Sequence, residues 1–364
     1  MDRIATMYLV MLIAWLLLQG SNSYQLERIF GRKAYRVRPI FAILFALPLV
    51  YFAWKRDLSI GDSATYMRTM NMMPSSWEGI VEYLGNYPKD PGYSVFIWIL
   101  KVLGLSWREM FLVIAILQIT PLIYVYRRYS SNYYLSMLLF LISTDYISWM
   151  QNGVRQFLAV SIIFAATGWI LDGKYFRSIL VIIFASLFHQ SALVMIPCIF
   201  LVQGEALNVR MIGIVFLFFT AVVFVESFTN ILDSMLEKTQ YSNMVTDFTT
   251  GEFAADNGTN PLRVLVYSVP VLLALLIKGR GCKTMPPIIN LSVNMSLLSA
   301  GFYLISMVTS GIFIGRIPIY FSLYNYILIP WEINILFEKS QRSIVTILMI
   351  TLYLVFSMIQ YTWI

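Results

Sequence analysis

Residues 133–171 read YYLSMLLFLISTDYISWMQNGVRQFLAVSIIFAATGWIL. Two apolar runs, 133–150 and 153–171, stand on either side of Gln151-Asn152-Gly153. Each is near the length an α-helix needs to cross a hydrocarbon core of about 30 Å. Outward from this pair, further runs occur at roughly 4–18, 39–54, 109–126, 178–202, 210–226, 262–278, 286–308, 317–337 and 343–361, about eleven candidate helices in all. Tyr93–Leu103 is half a span long and reads as a re-entrant or interfacial helix. The fold class expected is an all-α polytopic integral membrane protein, a single transmembrane domain over residues 1–364.

Composition agrees. Apolar residues make up 59% of the 364 and charged residues only 12%, against about 45–50% and about 25% in soluble domains. Aromatic residues, at 16%, suit the interfacial belts where Trp and Tyr collect. The net charge of +7 lies mostly in short basic loops between apolar runs. That is positive-inside patterning, and it argues against nucleic acid as a partner. Cys198 and Cys282 fall in an apolar run and a basic loop and suggest neither a disulfide nor a metal site. Ile4–Leu18 has no clean cleavage site and is read as a retained first helix.

The segment Glu27–Arg38 and the loops Lys278–Lys283 and Glu338–Arg342 are basic and are assigned to the cytoplasm. The longer, more acidic loops, about 55–92 and 227–261, are assigned to the extracytoplasmic side. Placing Asp172–Arg177 in the cytoplasm as well leaves three crossings before Lys278–Lys283, where an even number is needed. A broken helix turning back at Phe188-His189-Gln190-Ser191 would restore the parity. No loop is long enough for a nucleotide-binding domain, which argues against an ATP-driven pump.

Ionisable groups in membrane helices cost at least ~2.5–3.5 kcal/mol on insertion scales, so those retained are functional candidates. Asp62 stands early in the first outer loop, and Asp90 opens Asp90-Pro91-Gly92-Tyr93; each is also a natural helix N-cap. Arg155 opens an apolar helix, and Asn152 and Gln156 share its i, i+3, i+4 face. His189 is the only histidine. Arg316 follows the small-residue pair Gly311 and Gly315, which would let a second helix approach closely. Gly168–Lys174 imitates a P-loop but ends in Tyr175 and follows no strand. There is no Asp-x-Asp pair for a metal–nucleotide sugar and no metal-ligand spacing, so neither metal nor cofactor is expected.

Taken in order, Asp62, Asp90-Pro91-Gly92-Tyr93, Arg155-Gln156 with Ala159, and Ala185 through His189 to Ser191-Ala192 resemble the EpsG family, which belongs with the Wzy-type polymerases of bacterial exopolysaccharide, capsule and O-antigen. The resemblance spans roughly residues 60–200. The family usually has glutamate where this chain has Asp90. The resemblance implies a GT-C-like membrane glycosyltransferase of the bacterial cytoplasmic (inner) membrane. It would transfer a growing glycan from undecaprenyl pyrophosphate to the non-reducing end of another lipid-linked repeat unit, with inversion and without metal. A flippase, a chain-length regulator and membrane lipid would be its partners. Under that reading Asp62 or Asp90 is the general base, His189 a further donor, and Arg155 and Arg316, aided by Asn152 and Gln156, bind the diphosphate. A lipid-linked oligosaccharide flippase or other transporter, and a membrane O-acyltransferase using His189, are the competing classes.

Overall fold

The computed structural model describes residues 3–29, 32–224, 258–282, 284–309, 311 and 313–361, with a few positions between 227 and 235. Most of the second acidic loop, 227–261, lies outside them. The described residues are overwhelmingly α-helical. One exception to the all-α expectation is a hairpin in the basic segment. Strand β1 (Tyr24–Ile29) runs antiparallel to β2 (Arg32–Val37), in register from Tyr24 opposite Val37 to Ile29 opposite Arg32.

The chain forms two compact units. The first comprises Met1–Ile196 and Phe337–Ile364, the second Pro197–Leu336. In the first, α1 (Arg3–Leu18) and α2 (Pro39–Trp54) flank the hairpin. Then come α3 (Ser63–Met72), α4 (Trp77–Asn86), α5 (Pro91–Val102), α6 (Trp107–Tyr129) and α7 (Tyr133–Ile142). Next are α8 (Val154–Ala165), α9 (Thr167–Leu171) and α10 (Tyr175–Ser186). Helix α11 (Met195–Leu201) leads into the second unit. That unit contains α12 (Val209–Val223), α13 (Pro261–Gly279), α14 (Pro287–Val308), α15 (Ile319–Ser322) and α16 (Asn325–Leu336). Helix α17 (Arg342–Tyr361) returns to the first.

Among the described residues, four helices are long and apolar enough to cross a membrane: Trp107–Tyr129, Pro261–Gly279, Pro287–Val308 and Arg342–Gln360. Most of the other apolar runs appear as helices of 10–17 residues. Four of the runs are broken within themselves, run 317–337 at Leu323-Tyr324 between α15 and α16. Run 133–150 stops at Ile142; Thr144 takes φ 86°, and the chain continues as a wide π turn over Tyr146–Asn152. A β-branched residue at positive φ costs roughly 1–3 kcal/mol, and such strain concentrates at functional sites. Run 153–171 divides at Ala166. Run 178–202 breaks where the sequence suggested: α10 ends at Ser186, His189 is extended (φ −159°), and a 3₁₀ turn spans Gln190–Val194.

The loop read as 55–92 is itself largely helical. Met70, Ile80, Ile97 and Leu100 of α3, α4 and α5 join Phe111 and Ile114 of α6 and Leu158 of α8 in one buried cluster. Truncating such a side chain to alanine costs about 2–5 kcal/mol. The polar residues at the ends of α3, α5 and α8 are therefore mounted on a packed framework.

Candidate active site

The site in the first unit is built where helix ends meet. Pro91 occupies the first turn of α5, where its missing N–H is no loss. Gly92 N–H donates to Leu187 O at 2.8 Å, and a Cβ on Gly92 would lie 2.6 Å from Leu187 Cβ. Only glycine lets α5 abut the broken end of α10 this closely. On the far side of the break, Ala185 O accepts from His189 N–H at 3.1 Å, and His189 O accepts from Ala192 N–H at 3.0 Å. Ala185 and Ala192 are both fully buried. The Asp-Pro-Gly-Tyr and Ala-x-x-x-His-x-Ser-Ala motifs, far apart in sequence, thus share one junction.

Asp90 stands at the N-cap position of α5 with φ 52°, but its side chain does not cap the helix. Its carboxylate, 1% exposed, instead accepts from Arg155 Nη1 at 2.7 Å. The cap reading for Asp90 is therefore corrected: the left-handed backbone turns the carboxylate towards α8. Asp62 likewise occupies the N-cap position of α3 without a side-chain cap bond. It is exposed, and its backbone N–H donates to Asn152 Oδ1 at 3.0 Å. Gly61 beside it has φ 48°, and a Cβ there would fall 2.0 Å from Asn152 Oδ1. The Arg155 guanidinium lies 5.9 Å from the centre of the Tyr93 ring and acts electrostatically on the Tyr66 hydroxyl. Burial pushes the Tyr66 phenol above its usual value although Arg155 pulls the other way, so it stays a neutral hydroxyl at ordinary pH.

Asn152, Arg155 and Gln156 do not share a face. Helix α8 begins at Val154, so Asn152 belongs to the preceding π turn. The three side chains serve three neighbours: Asn152 the Asp62 loop, Arg155 the Asp90 carboxylate, and Gln156 the Ser191 hydroxyl, to which its Nε2 donates at 3.4 Å. His189 Nδ1 bonds the same Ser191 Oγ at 2.7 Å. Asp62, Asp90, Asn152, Arg155, Gln156 and His189 therefore belong to one connected region of the first unit.

Arg316 lies in the second unit, exposed, in a 3₁₀ turn spanning Ile314–Arg316. Gly311 and Gly315 follow the end of α14, the first in a turn and the second in the 3₁₀ turn, so they do not form a small-residue face on an α-helix. Gly315 instead makes room for Thr259, whose Oγ1 would be 2.7 Å from a Cβ there.

Three buried charged residues escaped the sequence reading: Glu332, Arg56, and Asp145, which is 1% exposed between the end of α7 and the π turn. Glu332, within the apolar run 317–337, is fully buried in α16, and neither carboxylate oxygen has a hydrogen-bond partner among the described residues. A carboxylate inside an apolar run is itself the signal that could have found it. Arg56, 2% exposed, follows the end of α2. Its Nε donates to Ala53 O and its Nη1 to Gln151 O, both at 2.7 Å, and its guanidinium lies 4.3 Å from the centre of the Phe111 ring. Between Lys55 and Asp57 it looks like part of a solvated loop.

The model of the EpsG family matches residues 39–363, nearly the whole chain beyond the hairpin. The chain belongs to the EpsG family. The match carries the relationship past the span of the short motifs, through the second unit to α17. EpsG proteins are Wzy-like polysaccharide polymerases, and with its apolar helices the chain is a multi-pass membrane protein of polysaccharide biosynthesis. No curated protein and no solved structure matches it.

Proposed function

We propose that this EpsG-family protein transfers a growing glycan from undecaprenyl pyrophosphate to the non-reducing end of a second lipid-linked repeat unit. The reaction takes place at the outer face of the bacterial inner membrane on a GT-C-like scaffold. The observation that carries this reading is the Asp90–Arg155 pair, set at the junction of two broken helical runs with His189 and Gln156 close by in the chain of contacts.

The bond broken joins an anomeric carbon to a diphosphate, so catalysis must stabilise negative charge on the leaving group and remove a proton from the acceptor hydroxyl. Arg155 offers the planar fork that matches phosphate oxygens, and Asp90 orients it. Asp62, the exposed carboxylate, is the better placed base, because Asp90 is buried and engaged by Arg155. Attack from the side opposite the diphosphate inverts the anomeric centre. His189 and Gln156, linked through Ser191, supply further donors. Arg316 of the second unit is assigned a phosphate contact on sequence grounds. Guanidinium charge replaces a metal in this scheme, so polymerisation persists in chelator.

Purified protein given a single lipid-linked repeat unit, with neither ATP nor an acyl donor, should build a ladder of products. Movement of the lipid across vesicles without a ladder selects a flippase. Modification that requires an acyl donor selects an acyltransferase. Either result removes the polymerase assignment.

A further inference from the structure

Ile80, Tyr83, Leu84 and Tyr87 stand at i, i+3, i+4 and i+7 and so share one face of α4 and its C-terminal cap. Ile80 belongs to the buried cluster that holds α3, α5, α6 and α8 together, and Tyr83 and Leu84 pack against it. The face leaves the protein at Tyr87, which is 61% exposed. Pro88 ends the helix there and disfavours a helical backbone at Tyr87, whose φ is −130°. Tyr87 N–H still donates to Tyr83 O at 2.8 Å, and the two rings lie 4.9 Å apart, tilted by 38°. Three residues after Tyr87 comes Asp90, with its carboxylate bonded to Arg155. A chain spans three residues in at most about 11 Å, so the ring pair adjoins the candidate active site. Trp77 and Val81, also exposed, stand on a different face of α4. That apolar pair suits a membrane interface, whereas the Tyr83–Tyr87 face runs into the polar turn Pro88-Lys89-Asp90.

We propose that Tyr83 and Tyr87 form a carbohydrate-stacking platform that holds a pyranose ring of the lipid-linked repeat unit next to the Asp90–Arg155 pair. The proposal rests on the polymerase reading for the identity of the glycan. One face of a pyranose presents C–H groups that are apolar and weakly positive, and the face of an aromatic ring is negative. The two can stack while the sugar hydroxyls stay at the rim, in reach of water and of the phenol groups. Tyrosine suits this use because it is rigid, has few torsions to fix and carries a polar tip. Tyr83 is held by its packing on the cluster, and the Tyr87 backbone by Pro88 and the Tyr83 carbonyl. The platform therefore stands before the ligand arrives, which lowers the ordering cost of binding.

The test is equilibrium dialysis of the full-length protein in nanodiscs against radiolabelled oligosaccharide, released by mild acid from the producing cell's own lipid-linked repeat unit. Wild type is expected to bind it. Y87F keeps the ring and should bind within about twofold, whereas Y87A should lose about tenfold in affinity, the worth of one aromatic contact. Unchanged affinity in Y87A overturns the proposal, as does a loss in Y87F equal to that in Y87A. Absence of binding by wild type overturns it too. A merely structural Tyr87 would lower the melting temperature of the empty protein and leave affinity in the surviving fraction untouched. If Y87A does not fold, Y87L decides, because leucine keeps apolar bulk without a π face: a loss of at least about fivefold supports stacking, and wild-type affinity overturns it. Tyr87-dependent binding without any product ladder keeps the platform and removes the polymerase reading. A ladder made by Y87A at the wild-type rate and substrate dependence does the reverse.

Discussion

Asp90 and Glu332 are both buried acids, yet the chain treats them in opposite ways. Asp90 sits at a helix end, in a left-handed backbone, with an arginine 2.7 Å away. Glu332 sits within a regular helix, with neither oxygen hydrogen-bonded among the described residues. Around Asp90 the apolar runs are cut short, and each cut turns polar groups inward. Glu332's own run is divided once, at Leu323-Tyr324, but the helices packed against α16 run long: α13 and α14 have 19 and 22 residues. Buried polar groups there are mostly small, as in the bond from Ser306 Oγ to Thr259 Oγ1 at 2.7 Å. In a membrane protein, breaking helices is how backbone and charge are brought to one point, and it is tolerated where protein covers the break. Chemistry is therefore expected at the broken region and packing at the continuous one.

The largest expected effect is at Asp90. D90N leaves the Arg155 guanidinium without its counter-charge; Arg155 is 32% exposed, so water offsets part of the roughly 3–5 kcal/mol that losing one partner of a fully buried pair costs. Polymerisation should fall at least 100-fold, measured as ladder formation per mole of protein that remains folded in a size-exclusion profile. G92A comes next. Its Cβ would meet Leu187 at 2.6 Å, forcing α5 away from the break. Melting temperature and activity should fall together, whereas the neighbouring S94A should leave both nearly unchanged. H189A removes one member of the Ser191 bridge, and a loss of about tenfold in turnover is expected, the lower end for a single hydrogen-bonding group.

At the continuous region the sign differs. Gln is a neutral isostere of a buried carboxyl that has no ionic partner among the described residues, so E332Q should leave the melting temperature nearly unchanged and turnover within about twofold. A collapse of activity in E332Q would move chemistry into the second unit and break the contrast. The smallest effect is at the hairpin, where Glu27 is bonded to Arg127 and Gln25. Partial desolvation works against the shift, but the Gln25 bond and the Arg127 charge hold the Glu27 carboxyl below its usual range. Its stabilisation is present above the ordinary glutamate value of about 4.3 and is lost as pH falls through the lowered folded value. E27Q should therefore soften the hairpin near neutral pH by a few tenths of a kcal/mol at most, as for other exposed pairs. Hydrogen exchange of residues 24–37 as a function of pH would read it.

The sequence showed the membrane class through its runs, and it pointed to the candidate residues because charge within apolar surroundings is conspicuous. It also located the break at His189. Partners were beyond it. That Asn152 faces Gly61, that Gly92 faces Leu187, and that Gln156 and His189 share Ser191 are tertiary facts without local periodicity. The three-residue polar face failed because helix α8 starts two residues later than Asn152. The hairpin was hidden because a run of basic residues reads as a loop. Arg56 was masked by its charged neighbours, although it follows directly on an apolar span.

The most direct test is the ladder assay run on wild type and R155K together, with lipid-linked repeat unit as the only substrate. The account predicts a ladder from wild type and at least a 100-fold slower one from folded R155K, because the amine keeps the charge but loses the fork. A ladder of wild-type rate and length from R155K would contradict it.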